Sequence, residues 1–215
     1  MKLFLDTADT ALIEKYYQTN LIDGVTTNPT LIMKSGRNPE DVYQQLIDMG
    51  LDDVSMEVVG DFDAMYLEGI RLFRKFGKCA TIKVPCTQDG LRVCRELSRD
   101  LVNVNVTLIF SPAQAILAAK AGAKYVSPFV GRVDDNSFDG IDLVDQISDI
   151  YTIQNIRKTE ILAASVRDVK TVSDAFGAGA HVVTMPPSIF EKMYNHVLTD
   201  RGLYQFDLDW AKVKR

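Results

Sequence analysis

Cysteine and histidine are both scarce in this chain, and their placement excludes two classes of protein. Three cysteines, Cys79, Cys86 and Cys94, are an odd number at spacings that fit neither a disulfide framework nor a zinc site, so we expect them to be reduced. The two histidines, His181 and His196, have no cysteine or histidine partner at metal-ligand spacing. We therefore interpret both as structural residues and expect no metal site.

Long apolar runs and an excess of basic charge are also lacking. No stretch approaches the roughly 20 apolar residues of a membrane-spanning helix, and a net charge of -5 without basic clusters offers nothing to nucleic-acid phosphates. The start of the chain, MKLFLDTADT, has an aspartate in its short apolar run, unlike a signal peptide. These features predict a cytoplasmic protein whose partners are small molecules, with no nucleic acid and no membrane.

What the chain does contain is a regular alternation of short apolar segments and longer amphipathic ones. Eight strand-like segments alternate with eight helix-like ones over 215 residues, which at about 27 residues per unit predicts a single (β/α)8 TIM barrel over 1–215. A doubly wound open sheet would be expected to carry a glycine-rich turn after its first strand, and LDTADT contains no glycine. The strand-like segments are KLFLDT, LIDGVTTNP, VSMEVVG, ATIKVPC, VNVTLIFSP, KYVSPFVG, EILAASVR and HVVTMPP.

Apolar residues at helical spacing mark several of the segments between these strands. A further stripe lies in the tail, residues 200–215, and predicts an extra C-terminal helix that packs beneath the barrel or on a neighbouring subunit. The stripes are Phe62, Tyr66, Ile70 and Phe73; Leu143, Ile147 and Ile150; Ile189, Met193 and Val197; and, in the tail, Leu203, Phe206, Trp210 and Val213.

Lys83 occupies the middle of ATIKVPC, where a strand is expected to be buried. Removing an ammonium from water costs several kcal/mol, so lysine is almost never fully buried without a partner. One interpretation is that Lys83 lies along apolar surface with its amine in solvent. The other is that a pocket holds the amine, where desolvation and nearby cations lower its pKa and make it nucleophilic.

Further polar residues recur near the ends of seven strand-like segments, which meet on one face of a TIM barrel. Any one of them could be structural, such as Asp6 or Ser165 as a helix cap. Unpaired, each would cost about 1–3 kcal/mol, so the whole ring predicts a hydrogen-bond network or a site for a polar ligand. The polar positions are Asp6, Thr27, Asn28, Glu57, Lys83, Asn105, Thr107, Ser127, Arg132, Ser165 and Arg167, and Phe129 stands among them at the end of the sixth segment.

Six motifs, in order along essentially the whole chain, resemble the transaldolase family in its short form, which includes the fructose-6-phosphate aldolases. They are FLDTAD, GVTTNPTLI, IKVPCTQDGL, VNVTLIFSPAQA, SPFVGRVDD and LAASVR. The resemblance implies a TIM barrel, a homo-oligomer of five or ten subunits, and an activity that needs no cofactor.

The resemblance also implies a Schiff-base mechanism in the pentose phosphate pathway. Lys83 would form an imine with the C2 ketone of sedoheptulose 7-phosphate or fructose 6-phosphate. Asp6 would take and return the C4 hydroxyl proton, while Glu57 and Thr107 would hold a water that carries protons. The dihydroxyacetone unit would then pass to glyceraldehyde 3-phosphate or erythrose 4-phosphate.

Two groups of residues would bind the sugar phosphate. Thr27, Asn28, Asn105, Ser127 and Phe129 would surround the dihydroxyacetone unit, and Arg132, Ser165 and Arg167 would bind the phosphate. The pair Asp134 and Asp135 is expected in a solvated loop, close enough to Arg132 to orient it.

Two other functions fit part of this pattern. Fructose-6-phosphate aldolases release free dihydroxyacetone, and the resemblance suggests that they carry glutamine and tyrosine where this chain has Glu57 and Phe129. A sugar-phosphate sensor would keep Arg132 and Arg167 but would not need a lysine and a carboxylate aimed at one carbon. The sequence therefore favours transaldolase over both.

Overall fold

The computed structural model describes residues 1–213, which form a closed barrel of eight parallel strands. The predicted (β/α)8 barrel is confirmed, with each strand paired to its neighbours in sequence and β8 paired to β1. All eight strand-like segments contain a strand. The strands are β1 (Lys2–Asp6), β2 (Gly24–Thr26), β3 (Val54–Glu57), β4 (Ala80–Pro85), β5 (Asn103–Ile109), β6 (Tyr125–Pro128), β7 (Glu160–Ala163) and β8 (Val182–Met185).

Eleven α-helices surround the barrel in residues 1–213, two more than the eight helix-like segments and the tail helix predicted, because the segments after β2 and β6 each hold two. None of the eleven is long and apolar enough to cross a lipid bilayer. The helices are α1 (Thr10–Tyr17), α2 (Pro29–Ser35), α3 (Pro39–Asp48), α4 (Phe62–Phe76), α5 (Gln88–Arg99), α6 (Pro112–Ala121), α7 (Val130–Asp135), α8 (Gly140–Ile153), α9 (Val169–Gly177), α10 (Pro187–Lys192) and α11 (Val197–Val213).

Short polar side chains start most of these helices close to the strand ends. Asp9, for example, accepts hydrogen bonds from the backbone N–H groups of Ala11 and Leu12 at the start of α1. Proline stands at the first position of α2, α3, α6 and α10, where it costs no helical hydrogen bond. The chain therefore turns from strand to helix within a few residues, which keeps the ends of the strands close together.

Three expectations about the helices and loops need correction. The stripe of Ile189, Met193 and Val197 does not lie on one helix, because α10 ends at Lys192 and α11 begins at Val197. The predicted tail helix is present but begins three residues earlier than 200, and residues 214 and 215 lie outside the described part of the chain. The pair Asp134 and Asp135 closes α7 instead of lying in a loop.

The N-terminal end of the barrel is filled by a network of polar side chains centred on Asp53. This carboxylate accepts hydrogen bonds from Thr81 Oγ1 at 2.7 Å, Lys124 Nζ at 2.7 Å and the Tyr125 hydroxyl at 2.9 Å. Because buried polar groups are tolerated when they are paired, this network closes one end of the barrel. The polar residues at the other end of the strands therefore surround the accessible part of the interior.

Candidate active site

Lys83 is held inside the barrel between β3 and β2. It is the register partner of Glu57, and its Nζ lies 3.0 Å from Glu57 Oε2. Nζ also donates a hydrogen bond to the carbonyl oxygen of Thr27 at 3.1 Å. Only 5% of Lys83 is exposed, so its amine is enclosed rather than extended into solvent, and the Glu57 carboxylate offsets the desolvation of the charge.

Asp6 lies at the end of β1 and is linked through Thr26 on β2 to Thr184 on β8, the two strands that flank β1. Thr26 Oγ1 donates to Asp6 Oδ1 at 2.8 Å and lies 2.7 Å from Thr184 Oγ1. Because the single hydroxyl proton of Thr26 goes to Asp6, Thr184 must be the donor in the second bond. Burial raises the pKa of Asp6, against the lowering effects of the Lys83 charge and the Thr26 hydrogen bond.

A second chain of hydrogen bonds orients an amide on β5. Ser127 Oγ donates to Asn105 Oδ1 at 2.7 Å, and Asn105 Nδ2 lies 3.4 Å from Ser55 Oγ. All three side chains are buried. The amide of Asn105 is therefore fixed in one orientation beside Lys83, its register partner on β4.

Thr107 carries a polar atom that lacks a partner in the described part of the chain. Thr107 is 1% exposed, and its Oγ1 is buried without a hydrogen bond to any of residues 1–213. A buried hydroxyl left unsatisfied costs about 1–3 kcal/mol, so this position suits a bound water or a ligand oxygen.

A cavity of about 90 Å³ at the carboxyl ends of the strands brings eight of the predicted residues together. Its cationic groups are those of Lys83 and Arg132, and residues 1–213 contain no group of three His, Cys, Asp or Glu side chains suited to a metal ion. The predicted residues that line it are Asp6, Asn28, Lys83, Asn105, Ser127, Phe129, Arg132 and Ser165.

Four predicted residues do not line this cavity. Glu57 contacts it through its ion pair with Lys83, and Thr107 lies buried on β5, two residues beyond Asn105. The hydroxyl of Thr27 donates to the carbonyl oxygen of Ser55 at 2.9 Å. The backbone of Thr27, rather than its side chain, therefore faces the amine.

Arg167, the fourth, is bound to an acidic partner on α7. Its Nη1 donates to Asp135 Oδ1 at 2.8 Å, and Nη2 pairs with the other carboxylate oxygen. The Arg132 guanidinium lies 4.9 Å from the centre of the Phe129 ring. Asp135 therefore orients Arg167, not Arg132 as the sequence suggested.

Two side chains of the cavity, Thr26 and Thr184, were missed by the sequence analysis. Both are polar residues within the otherwise apolar segments of β2 and β8. Thr26 could have been found from its position two residues before Asn28, since alternate residues of a strand share a face. Thr184 could have been found as the polar residue of the eighth strand, which was the one strand without an assigned site residue.

Comparison with known proteins agrees with this geometry. The family described as transaldolase/fructose-6-phosphate aldolase matches residues 3–214. A probable transaldolase of Nitrosopumilus maritimus (strain SCM1) is 51% identical over 215 residues, which cover 100% of this chain and 96% of that protein. A probable transaldolase of Paracoccus denitrificans (strain Pd 1222) is 52% identical over 99% of this chain and 98% of its own length. The chain belongs to the transaldolase/fructose-6-phosphate aldolase family.

Proposed function

We propose that the protein is a transaldolase, an enzyme that moves a dihydroxyacetone unit from a ketose phosphate to an aldose phosphate. The observation that carries the proposal is the enclosed amine of Lys83, 3.0 Å from Glu57 and in the same cavity as Asp6. A nucleophilic amine, a carboxylate paired with it and a second carboxylate in the same cavity are the groups that imine chemistry requires.

Imine formation begins when the Lys83 ammonium gives a proton to Glu57 and the neutral amine adds to the C2 ketone of the donor. The C2 oxygen then takes up protons relayed through Glu57 and leaves as water. Thr107 Oγ1, buried and without a partner in residues 1–213, suits a water in this relay. Sedoheptulose 7-phosphate and fructose 6-phosphate are the donors we propose.

Cleavage of the C3–C4 bond follows from the position of Asp6. As the carboxylate takes the proton of the C4 hydroxyl, the bonding electrons flow into the imine, and an aldehyde leaves behind an enamine on Lys83. In the reverse sense, the enamine attacks glyceraldehyde 3-phosphate or erythrose 4-phosphate, and Asp6 returns the proton. Hydrogen bonding by Thr26 and Thr184 holds Asp6 in place for both steps.

Substrate binding is divided between the floor and the rim of the cavity. Asn105, fixed by Ser127, suits the hydroxyls of the dihydroxyacetone unit, and Asn28 borders the same space. For the phosphate we propose Arg132, Ser165 and Arg167. Arg167 would exchange Asp135 for the phosphate, because the Asp135 carboxylate occupies both of its Nη groups.

Group transfer, rather than release of dihydroxyacetone, is favoured by two residues. Glu57 and Phe129 stand where the resemblance suggests that fructose-6-phosphate aldolases carry glutamine and tyrosine. The Phe129 ring lines the cavity and offers no hydrogen bond to a water near the enamine. The aldolase reaction remains the alternative function of this site.

We also propose a homo-oligomer in which α11 contacts another subunit. None of its residues is buried, and Leu203, Tyr204 and Phe206 are 58%, 67% and 70% exposed. Such an apolar surface on a projecting helix is typical of an interface. A second copy of the chain is the occupant implied by the family resemblance.

One assay tests the proposed activity against its alternative. The protein is incubated with fructose 6-phosphate, with and without erythrose 4-phosphate, and sedoheptulose 7-phosphate and free dihydroxyacetone are measured together. We expect sedoheptulose 7-phosphate with the acceptor and little dihydroxyacetone without it. Dihydroxyacetone formed at the same rate in both reactions would assign the aldolase activity instead, and neither product would refute both.

A further inference from the structure

A second cleft reaches the active-site carboxylate from the side of the barrel. It has a volume of about 410 Å³ and lies between α2, α3 and α4. Glu57 forms part of its inner wall, whereas Lys83 lines only the central cavity. The residues along the cleft include Asn28, Ile32, Met33, Tyr43, Glu57 and Arg71.

The ion pair of Lys83 and Glu57 thus separates two spaces. The amine faces the central cavity, and the carboxylate, whose side chain is 14% exposed, faces the lateral cleft. Asn28 borders both spaces. A small molecule in the cleft can therefore reach Glu57 without passing the mouth of the central cavity.

Polar side chains line the cleft among apolar ones such as Ile32 and Met33. Tyr43 is 4% exposed, and its hydroxyl lies 3.5 Å from Thr27 Oγ1, next to the carbonyl that holds Lys83. At the outer wall, Glu40 Oε1 binds Arg71 at 2.6 Å and joins α3 to α4. Along this cleft, Asn28, Tyr43 and Glu57 offer hydrogen-bond partners to water.

We propose that this cleft is the path by which water enters and leaves the active site, separate from the entrance for the sugar. The proposal rests on the proposed Schiff-base reaction. Forming the imine releases the C2 oxygen as one water, and hydrolysing the imine adds one water at C2. The sugar would occupy the central cavity beside Lys83, whereas Glu57, which relays the protons of that water, lines the cleft.

Oxygen exchange tests the proposal directly, because the isotope at C2 shows whether the water that hydrolyses the imine came from bulk solvent, whatever the reaction rate. The protein converts fructose 6-phosphate and erythrose 4-phosphate in H2¹⁸O, and mass spectrometry gives the ¹⁸O at C2 of the sedoheptulose 7-phosphate per turnover. If water exchanges through the cleft, the product carries ¹⁸O after a single turnover. Samples without protein correct for spontaneous exchange of the ketose.

Two variants narrow the cleft, and one serves as their control. Met33, 72% exposed on α2, becomes tryptophan in M33W, and I32F with M33W adds bulk deeper along the same wall. L67W adds the same side chain to α4 at a position that is 66% exposed and does not line the cleft. Unfolding temperatures establish that all three fold.

The expected result is that the narrowed variants retain ¹⁶O at C2 over each turnover while L67W incorporates ¹⁸O like the unmodified protein. Full incorporation by the double variant, or retention of ¹⁶O by the unmodified protein, would overturn the proposal. If the unmodified protein forms no borohydride-trapped adduct with fructose 6-phosphate, the underlying Schiff-base reaction has failed. A trapped adduct together with full incorporation by the double variant refutes the water path alone.

Discussion

In the proposed mechanism, Phe129 determines whether the enamine is protonated or transferred. It lines the cavity and packs edge-on against Phe110, with 5.9 Å between ring centres. Phe129 itself offers no donor to orient a water that could protonate the enamine, so under the proposed mechanism the enamine would survive until an acceptor binds.

We predict that Phe129→Tyr gains release of dihydroxyacetone from fructose 6-phosphate and loses transfer. One positioned proton donor changes a rate by about 10²–10⁴-fold, so the ratio of release to transfer should rise within that range. The control is Phe110→Tyr, which adds a hydroxyl to the neighbouring ring outside the central cavity. An unchanged ratio in Phe129→Tyr, or an equal change in both variants, would mean that Phe129 only packs.

Asp6 gives the reaction a predictable dependence on pH. In the proposed mechanism its carboxyl must be ionised to take the C4 proton, and burial raises its pKa. Activity should therefore fall as the pH drops through this raised pKa. The hydrogen bond from Thr26 opposes the rise, so Thr26→Val should move the acidic limb of kcat/KM to higher pH.

Thr184→Val is the matched control, since it removes a buried hydroxyl that contacts Thr26 but not Asp6. We expect its acidic limb to move less than that of Thr26→Val. The measurement is kcat/KM across the acidic range, with unfolding temperature recorded for each variant. A limb that stays in place in Thr26→Val would argue against Asp6 as the proton acceptor.

Among the helices, α7 depends on a glycine for its approach to the loop after β7. A Cβ on Gly131 would lie 2.2 Å from the carbonyl oxygen of Ser165 and 2.9 Å from Arg167 Nε. Ser165 itself has a φ of 61°, a backbone conformation that non-glycine residues rarely adopt. The close contact therefore fixes the three proposed phosphate ligands relative to one another.

We predict that Gly131→Ala lowers the free energy of unfolding by about 1–3 kcal/mol, as overpacking does, and raises KM for fructose 6-phosphate. Gly177→Ala is the control, because nothing lies within 4 Å of a Cβ at that position in α9. Denaturant unfolding and steady-state kinetics measure both effects. An equal free energy of unfolding for the two variants would show that α7 can shift away from Ser165 without destabilising the protein.

The strands and the helix α4 show which features of the fold could be predicted from the sequence and which could not. The alternation of short apolar and longer amphipathic segments predicted every strand, because the strands of a parallel barrel are buried on both faces and form short apolar runs. The stripe of Phe62, Tyr66, Ile70 and Phe73 predicted α4 correctly, yet these residues are only partly buried. The face fully against the barrel is centred on Gly69, whose missing side chain lets α4 approach Ile82.

Among the site residues, positions could be predicted from the sequence but hydrogen-bond partners could not. Those at strand ends, such as Asp6 and Lys83, were predictable because parallel strands end on one face. The partner of Arg167 was not, because Asp135 lies 32 residues away and meets it only through the packing of α7. Alternation assigns a side chain to a face but does not specify its hydrogen-bond partner.

At the level of the assembly, α11 carries the proposed contact between subunits. We predict that Phe206→Glu, at a position that is 70% exposed in the single chain, dissociates the oligomer. An unpaired charge buried at an interface costs about 3 kcal/mol or more, which weakens association about a hundredfold or more. Gln205→Glu, which adds the same charge at the adjacent exposed polar position, is the control. Light scattering that finds the unmodified protein monomeric would refute the assembly.

The central claim, a covalent imine on Lys83, is tested most directly by chemical trapping. The protein is incubated with fructose 6-phosphate, quenched with borohydride, digested and analysed by mass spectrometry. We expect a single reduced three-carbon adduct on Lys83, and neither adduct nor turnover in Lys83→Arg, whose guanidinium keeps the charge but cannot form the imine. An adduct on another lysine, or full turnover by folded Lys83→Arg, would contradict the account.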